Sequence, residues 1–374
     1  SGKIKGFYNM DAISLIIPTY NRPHYLHRIL NYYDKYCDSE KYEIIIADSS
    51  SSENKRQNKN TVKYFPNLNI LHSKHPSDIH QYSKILSSLD QIKSEYCVIC
   101  ADDDFVTPNG IEQSVDFLEK NRDFTVVQGY YIGFKVRGDV EKESQFWWKY
   151  SNANQSITFP NPQDRLCYHL SNYITTTFHG VHRTDFLKMA FTETSRFTDD
   201  FSFGELLPTM LTLIYGKLKC LDLLFAARDS GTIRIHTSPE YQKTLADFIK
   251  EGTYNDKYAK FRDCLSMHLS KESQLDIEES KKIVDDAMSA YMKKCYPPKS
   301  KLSLRSKTAA LTTRTGLFLD RSNLPDWLDK GIRKSYRRVT GSNDITEKAT
   351  DESIPPNYLE DFNRIRHHVL ASSG

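Results

Sequence analysis

The sequence has few residues of the kinds that mark specialised structural classes. Its 374 residues include only 7 cysteines, 3 tryptophans, 15 glycines and 14 prolines. No apolar stretch approaches the 18 residues needed to cross a membrane. An odd number of scattered cysteines does not make a disulfide framework, and low glycine and proline contents exclude collagen. With 39% hydrophobic and 26% charged residues, the composition predicts an ordinary globular chain of two or three domains.

The net charge of only +3 conceals an uneven distribution. Residues 293–342 contain 13 Lys and Arg against 3 Asp, a net charge of +10, so the remainder of the chain carries −7. An acidic body and a basic C-terminal segment are expected to face different partners. We predict a first domain over residues 1–240 and a helical C-terminal region over 241–374, with a linker near 296–323 rich in Ser, Thr and Lys.

One Cys-x-x-Cys pair, Cys97 and Cys100, suggests a metal site at first sight. The pair lies in an apolar run that is typical of a buried strand. Residues three apart on a strand point to opposite faces, and no second pair completes a zinc site. We therefore expect both thiols to be reduced and to pack in the core.

The N-terminal third alternates between strand and helix patterns. Apolar runs predict strands at 13–17, 43–47, 69–72 and 96–101, and helical spacing predicts helices at 22–36 and 78–93, with another beginning near Asn109. Further strands are predicted at 125–132 and 218–227, and further helices at 203–215, 240–250, 254–270, 272–295, 324–338 and 357–371. This order predicts an α/β fold with a mostly parallel sheet covered on both faces and a helical C-terminal extension.

Three polar clusters directly follow predicted strands. They are Pro18 to Arg22, Asp48 to Ser52, and Asp102 to Asp104. The carboxyl ends of parallel strands share one edge of a sheet, and ligands bind there. Each cluster is also compatible with a turn or a helix cap. Three adjacent carboxylates repel one another unless a cation is near, and Mg²⁺ or Mn²⁺ would supply it.

These clusters resemble motifs of the family 2 glycosyltransferases. The similar segments are Ile13-Ser-Leu-Ile-Ile-Pro-Thr-Tyr-Asn-Arg22, Ile46-Ala-Asp-Ser-Ser-Ser51 and Cys100-Ala-Asp-Asp-Asp-Phe-Val-Thr-Pro108. The resemblance implies a GT-A fold, Rossmann-like, over about residues 12–235. It also implies transfer of a sugar from a nucleotide-diphosphate donor, a UDP-sugar above all, by inversion and with a divalent metal, Mn²⁺ or Mg²⁺.

The resemblance also implies roles for individual residues. The residues expected to bind the nucleotide are Pro18, Thr19, Tyr20, Asn21, Arg22, Asp48, Lys84 and Asp102, with Tyr20 stacking on the base and Asp48 bonding it. The family often has an Arg-Asn pair where Tyr82-Ser83-Lys84 stands here, so a phosphate contact from Lys84 departs from the family pattern. Metal binding falls to Asp103, supported by Asp104, with His236 as a further ligand and His179 as a weaker candidate. The family often has Asp where Ala101 stands here, which leaves the division of roles among residues 102–104 open.

The general base that an inverting transfer needs is expected near the start of the helix at 203–215. Gly204-Glu205 resembles the family's Gly-Glu motif, which makes Glu205 the first candidate, and Asp199 and Asp200 compete with it. A helix N-terminus stabilises an ionised carboxylate, but such an acid can also simply cap the helix. Trp147-Trp148 lies in a polar stretch expected to be a loop, and is either a sugar-stacking platform or part of a lid.

The helix predicted at 324–338 is basic and amphipathic, with Lys330, Arg333, Lys334, Arg337 and Arg338 opposite an apolar face. It would either pack on the body or lie on an anionic membrane. We expect a cytoplasmic protein, with peripheral contact at the inner face of the plasma membrane as the further reading, and no nucleic-acid partner. The expected acceptor is a glycan or lipid-linked glycan of bacterial surface polysaccharide or capsule synthesis. The alternatives are a non-catalytic GT-A-like glycan-binding or scaffolding module and a sugar nucleotidyltransferase.

Overall fold

The computed structural model describes residues 13–135, 145–149, 155–197, 200–229, 243–296, 349 and 353–371. The described residues form the strands β1 (Ile13–Thr19), β2 (Tyr42–Asp48), β3 (Ile70–Lys74), β4 (Tyr96–Ile99), β5 (Phe105–Val106), β6 (Phe124–Lys135), β7 (Gln145–Lys149), β8 (Val181–Arg183) and β9 (Lys217–Asp229). The helices between them are α1 (Pro23–Tyr36), α2 (Ser52–Lys63), α3 (Gln81–Leu89), α4 (Pro108–Lys120), α5 (Pro162–Ser171), α6 (Thr184–Thr194) and α7 (Phe201–Tyr215). The C-terminal helices are α8 (Leu245–Glu251), α9 (Tyr254–Ser273), α10 (Ile277–Cys295) and α11 (Leu359–Ala371).

The strands form one mixed sheet in the order β3-β2-β1-β4-β8-β6-β9-β5, with β7 paired to β6. Strands β1 to β4 are mutually parallel, whereas β8 runs antiparallel to both β4 and β6. The prediction of a mostly parallel α/β sheet flanked by helices is confirmed. The short β8 follows a loop with little strand pattern, and no sequence signal indicated it.

The register brings the ends of the first strands together. Thr19 lies opposite Asp48 in the β1–β2 pair, and Ile16 lies opposite Ile99 in the β1–β4 pair. Since these parallel strands end at one level, the polar residues that follow them share one edge of the sheet.

Apolar side chains fill both faces of the sheet. One core lies between the sheet and helices α1, α4 and α11, and a second, smaller core lies beneath α3 and α6. Cys97 belongs to the second core and Cys100 to the first, both free and buried. Both thiols thus pack in the core, as predicted, and they do so in different clusters.

The C-terminal helices pack on the elements before residue 230. Helices α8, α9 and α10 share a core with α5 and α7, and α11 packs on α1, where the ring of His368 lies against Tyr32 and Tyr36. The domain boundary placed at residue 240 stays a prediction. The basic helix predicted at 324–338 and nearly all of the linker at 296–323 lie outside the described residues. Within the described part, no helix is both long and apolar enough to span a membrane.

Two sequence interpretations need correction. Trp147 and Trp148 were expected in a loop, but they lie on strand β7, which pairs with β6 at Gly133 and Ile132. Helix α4 is capped by Thr107, whose hydroxyl accepts a bond from the amide of Gly110 at 3.0 Å. The Asp102–Asp104 triplet therefore is not the cap of this helix.

Candidate active site

The turn after β1 is held to the start of α2 by Asn21. This residue has a positive φ of 56°, a conformation that Asn tolerates better than most side chains. Its amide N–H donates to Ser50 Oγ at 2.9 Å, and its Oδ1 accepts from the amide of Ser51 at 2.8 Å. Ser51 in turn caps α2. The loops after β1 and β2 thus form one unit, as their shared edge predicts.

Asp48 lies fully buried at the end of β2. Its carboxylate accepts bonds from Ser50 N–H, Asn58 Nδ2 and His72 Nε2, each at 2.9 Å. Burial alone would raise the pKa of Asp48, but bonds from His72, Ser50 and Asn58 outweigh it and lower the pKa to about 2. Asp48 is therefore an ionised acceptor beside the turn, and Asn58 and His72, which hold it, were not indicated by the sequence.

Lys84 joins the first two loops from helix α3. Its buried Nζ donates to the carbonyl of Thr19 at 3.1 Å and to Ser49 Oγ at 2.9 Å. Burial lowers the pKa of Lys84 to about 8, although Asp102 and Asp48 oppose that shift. The structure places this cation at the predicted edge, and its contact with a phosphate stays a prediction.

Arg22 pairs with two members of the acidic triplet. Its guanidinium donates to Asp102, which is fully buried, and to Asp103 Oδ2 at 2.8 Å. Thr19 Oγ1 also donates to Asp102 at 2.6 Å. Burial raises the pKa of Asp102, while Arg22 opposes that shift. Arg22 thus offsets the charge of two carboxylates, and its predicted contact with a nucleotide stays a prediction.

The remaining triplet contacts come from residues that the sequence did not indicate. Arg28 on α1 donates to the carbonyl of Asp103 at 2.6 Å and lies 3.8 Å from Asp229. The amide of Asp229, at the end of β9, donates to Asp104 Oδ1 at 2.9 Å, and Arg228 Nε lies 3.8 Å from Asp104. Arg28 stands outside the apolar face that predicted α1, so periodicity gave no reason to select it.

The three carboxylates diverge instead of forming one cage. Asp102 points to Thr19 and Arg22, whereas Asp104 faces the end of β9. Among the described residues, these three do not bring three ligand atoms within 4.8 Å of one another. Asp103 and Asp104, with side chains that are 16% and 12% exposed, can still offer an oxygen to an ion, whereas Asp102 is fully buried. Such a donor set fits Mg²⁺ or Mn²⁺, which are commonly held by one or two carboxylates together with substrate phosphates.

The candidates for the general base at the start of α7 differ in their surroundings. Asp200 is the N-cap, buried, and accepts from the amide of Phe203 at 3.1 Å. Glu205 lies one turn further along and is partly exposed. Gly204 packs on Tyr82, because a Cβ there would lie 2.3 Å from Tyr82 Cε2. Asp199 and His236 lie outside the described residues.

The other histidines have structural contacts. His179 Nδ1 lies 3.1 Å from the carbonyl of Ile99, and His182 Nε2 lies 3.0 Å from the carbonyl of Thr177. Burial lowers the pKa of His182 to about 4, so this side chain is neutral at physiological pH.

Comparison with known proteins relates the part of the chain that carries this site to a known family. Residues 14–187, which carry β1 to β4 and all three polar clusters, match the family model described as glycosyl transferase family 2. This part of the chain is a family 2 glycosyltransferase domain. The motifs at the ends of β1, β2 and β4, which predicted a glycosyltransferase, all lie within these matched residues.

Among the similar solved structures, one with a TM-score above 0.5 supports the fold. S. aureus TarS 1–349 in complex with UDP-GlcNAc is 16% identical, with a TM-score of 0.52, over 79% of this chain and 77% of that one. A longer TarS structure is 15% identical, with a TM-score of 0.48, over 78% of this chain but only 45% of that one. A mannosyltransferase from Pyrobaculum calidifontis with GDP-Man and Mn²⁺ is 12% identical, with a TM-score of 0.41, over 88% and 86%. No curated protein sequence matches the chain.

Proposed function

We propose that this enzyme transfers a sugar from a nucleotide-diphosphate donor, with inversion, to a hydroxyl of a glycan or lipid-linked glycan in bacterial surface polysaccharide synthesis. The observation that carries the proposal is the convergence of Asp48, Lys84 and Asp102 at one edge of a family 2 domain. The nature of the acceptor rests on the family resemblance alone. A UDP-sugar is the first donor to test, since the similar TarS structure contains UDP-GlcNAc.

In this proposal, the donor nucleotide lies over the turns after β1 and β2. The base stacks on Tyr20 and bonds to Asp48, whose ionised carboxylate accepts from a base N–H. The ribose lies near Asp102. Lys84 is close to these groups through its bonds to Thr19 and Ser49, and its positive charge would attract the diphosphate.

A divalent ion, Mn²⁺ or Mg²⁺, would be held by Asp103 with the support of Asp104, and when bound it would offset the charge of the leaving diphosphate. Arg22 and Arg28 keep the Asp103 segment in place through its side chain and its carbonyl. Preorganised groups of this kind cost no reorganisation when the glycosidic bond to phosphate breaks.

Glu205 is the proposed general base. It would take the proton of the acceptor hydroxyl as that oxygen bonds to the anomeric carbon, while the bond from this carbon to the diphosphate breaks. Its partial exposure suits contact with an acceptor, whereas the carboxylate of Asp200 already caps α7. The N-terminal part of α7 favours the ionised form of a nearby acid.

The variant Glu205→Gln tests this assignment. We expect kcat to fall by roughly 10²–10⁴-fold, the usual contribution of a general base, with little change in the Kd for the donor nucleotide. Glu251→Gln, an exposed change on α8, is the matched control. If Glu205→Gln retains kcat and Asp200→Asn loses it, the base is Asp200.

Thermal shifts with UDP, GDP and CDP, each with and without Mn²⁺, test the donor and the metal. We expect one nucleotide to stabilise the protein, and Mn²⁺ to increase that stabilisation in the wild type but not in Asp103→Asn. Nucleotide stabilisation that is the same with and without Mn²⁺ would contradict the metal assignment. Transfer assays with donor sugars of the stabilising nucleotide then identify the sugar.

A further inference from the structure

A second group of metal-ligating side chains lies away from the strand edge, between two helices. Glu193 comes from the last turn of α6, and Cys264 and His268 come from α9. Residues four apart on a helix lie on the same face, so the thiol and the imidazole both face α6. One ligand atom from each of the three residues lies within 4.8 Å of the other two.

The distances are close to those of a tetrahedral site. Cys264 Sγ lies 3.6 Å from Glu193 Oε2, and His268 Nε2 lies 4.0 Å from Glu193 Oε1. Zinc binds sulfur at about 2.3 Å and nitrogen or oxygen at about 2.0–2.2 Å, which separates ligand atoms by roughly 3.5 Å. Since the three ligand atoms lie within 4.8 Å of one another, side-chain shifts of about 1 Å would complete the ligand set.

The imidazole of His268 is arranged as a metal ligand usually is. Its Nδ1 forms a hydrogen bond of 2.8 Å with the hydroxyl of Tyr215, which fixes the ring. Its Nε2 is buried and has no hydrogen-bond partner among the described residues, because Glu193 Oε1 at 4.0 Å is too distant. A buried ring nitrogen without a partner costs free energy, and ligating histidines commonly bond their other nitrogen in this way.

The charges around Glu193 leave one of its oxygens available. Arg196 Nη1 donates to Oε2 at 2.6 Å, so Oε1 remains directed toward His268. The side chain of Arg196 is 67% exposed, and it can move into solvent if an ion approaches.

We propose that Glu193, Cys264 and His268 bind a zinc-type divalent ion that joins α6 to α9. Thiolate and imidazole ligands select zinc over Mg²⁺ or Mn²⁺, so this site is chemically distinct from the one at Asp103. Binding replaces the Cys264 proton, which goes to solvent, and leaves a fourth position for water. The ion links the region that follows the family 2 match to the C-terminal helices.

Cobalt titration of the whole chain, after metal removal with a chelator, tests the proposal. Thiolate-to-cobalt charge-transfer absorption is expected to saturate at one Co²⁺ per chain. Cys264→Ser should abolish this absorption and His268→Gln should weaken Co²⁺ binding at least tenfold, whereas Cys220→Ser, a change at another partly buried thiol, should leave both unchanged. Asp103→Asn should also retain the absorption, since the two sites are separate.

A second measurement does not depend on folding of the cysteine variant. Zn²⁺ should raise the Tm of the wild type and of Asp103→Asn, but should raise it much less in His268→Gln and Glu193→Gln. Charge-transfer absorption that is absent in the wild type, or unchanged in Cys264→Ser, would overturn the proposal, as would an equal Zn²⁺ effect on the Tm of all variants.

Discussion

Replacing Arg22 by methionine would remove the cation that Asp102 and Asp103 share. Asp102 is fully buried and Arg22 is nearly so. Methionine keeps much of the volume of the arginine stem, so the main loss is the charge and its two hydrogen bonds. The remaining bond to Asp102 from Thr19 supplies no positive charge.

The size of the loss follows from the burial of the pair. Breaking a buried ion pair by removing one partner costs about 3–5 kcal/mol, since an uncompensated charge remains. A surface pair contributes only about 0–1 kcal/mol. The free energy of unfolding of a domain is about 5–15 kcal/mol. Arg22→Met should therefore remove a large part of the free energy of unfolding of this half of the protein.

Urea denaturation followed by far-ultraviolet circular dichroism measures the effect. Arg56→Met is the matched control, because Arg56 pairs with Glu53 on the surface of α2 and its loss should cost less than about 1 kcal/mol. The double variant Arg22→Met with Asp102→Asn should be more stable than Arg22→Met alone, since no buried carboxylate at residue 102 is then left without its cation. If Arg22→Met costs no more than Arg56→Met, or if the second change restores nothing, the charge-compensation argument is wrong.

Three further changes test other parts of the site. Gly204→Ala should cost about 1–3 kcal/mol through overpacking, as its Cβ would lie 2.3 Å from Tyr82; an unchanged Tm would show that the ring shifts freely. Asp48 has a folded-state pKa of about 2, below its ordinary 3.8. Its ionised form therefore contributes about 2 kcal/mol to the free energy of unfolding above pH 4, and this contribution is lost as the pH falls toward 2. In Asp48→Asn, the free energy of unfolding should change less between pH 5 and pH 2 than it does in the wild type. Lys84→Met should weaken nucleotide binding more than Lys55→Met, as judged by calorimetric Kd values, and equal losses would argue against a role for Lys84.

The N-terminal half of the fold could be predicted from sequence because its signals are local. The continuous apolar runs of β1, β2 and β4 indicate strands buried on both faces, and the parallel arrangement then requires their ends to meet. Asp48 and Asp102 are therefore predicted to lie at one edge of the sheet. The antiparallel β8 could not be predicted this way, because three residues at Val181–Arg183 are too few for a period to show.

The partners of the site residues could not be predicted for a related reason. Arg28 reaches Asp103 from α1, and Asp229 reaches Asp104 from the end of β9, over 75 and 125 residues of sequence respectively. Such contacts depend on how helices and distant strands pack on the sheet. The helical pattern of α1 identifies only its apolar face. A buried arginine on another side of the same helix cannot be recognised from that pattern.

The acidic triplet shows how this limit changes a chemical argument. As neighbours in sequence, Asp102, Asp103 and Asp104 are expected to repel one another unless a divalent ion is near. In the structure they point in different directions, and arginines from both sides supply much of that positive charge. Repulsion among the carboxylates is therefore a weak reason for a metal here. The diphosphate of the proposed donor is a stronger reason for a metal. It would bring negative charge close to Asp103, whose cation Arg22 is already paired. The ion and the nucleotide would therefore each favour binding of the other.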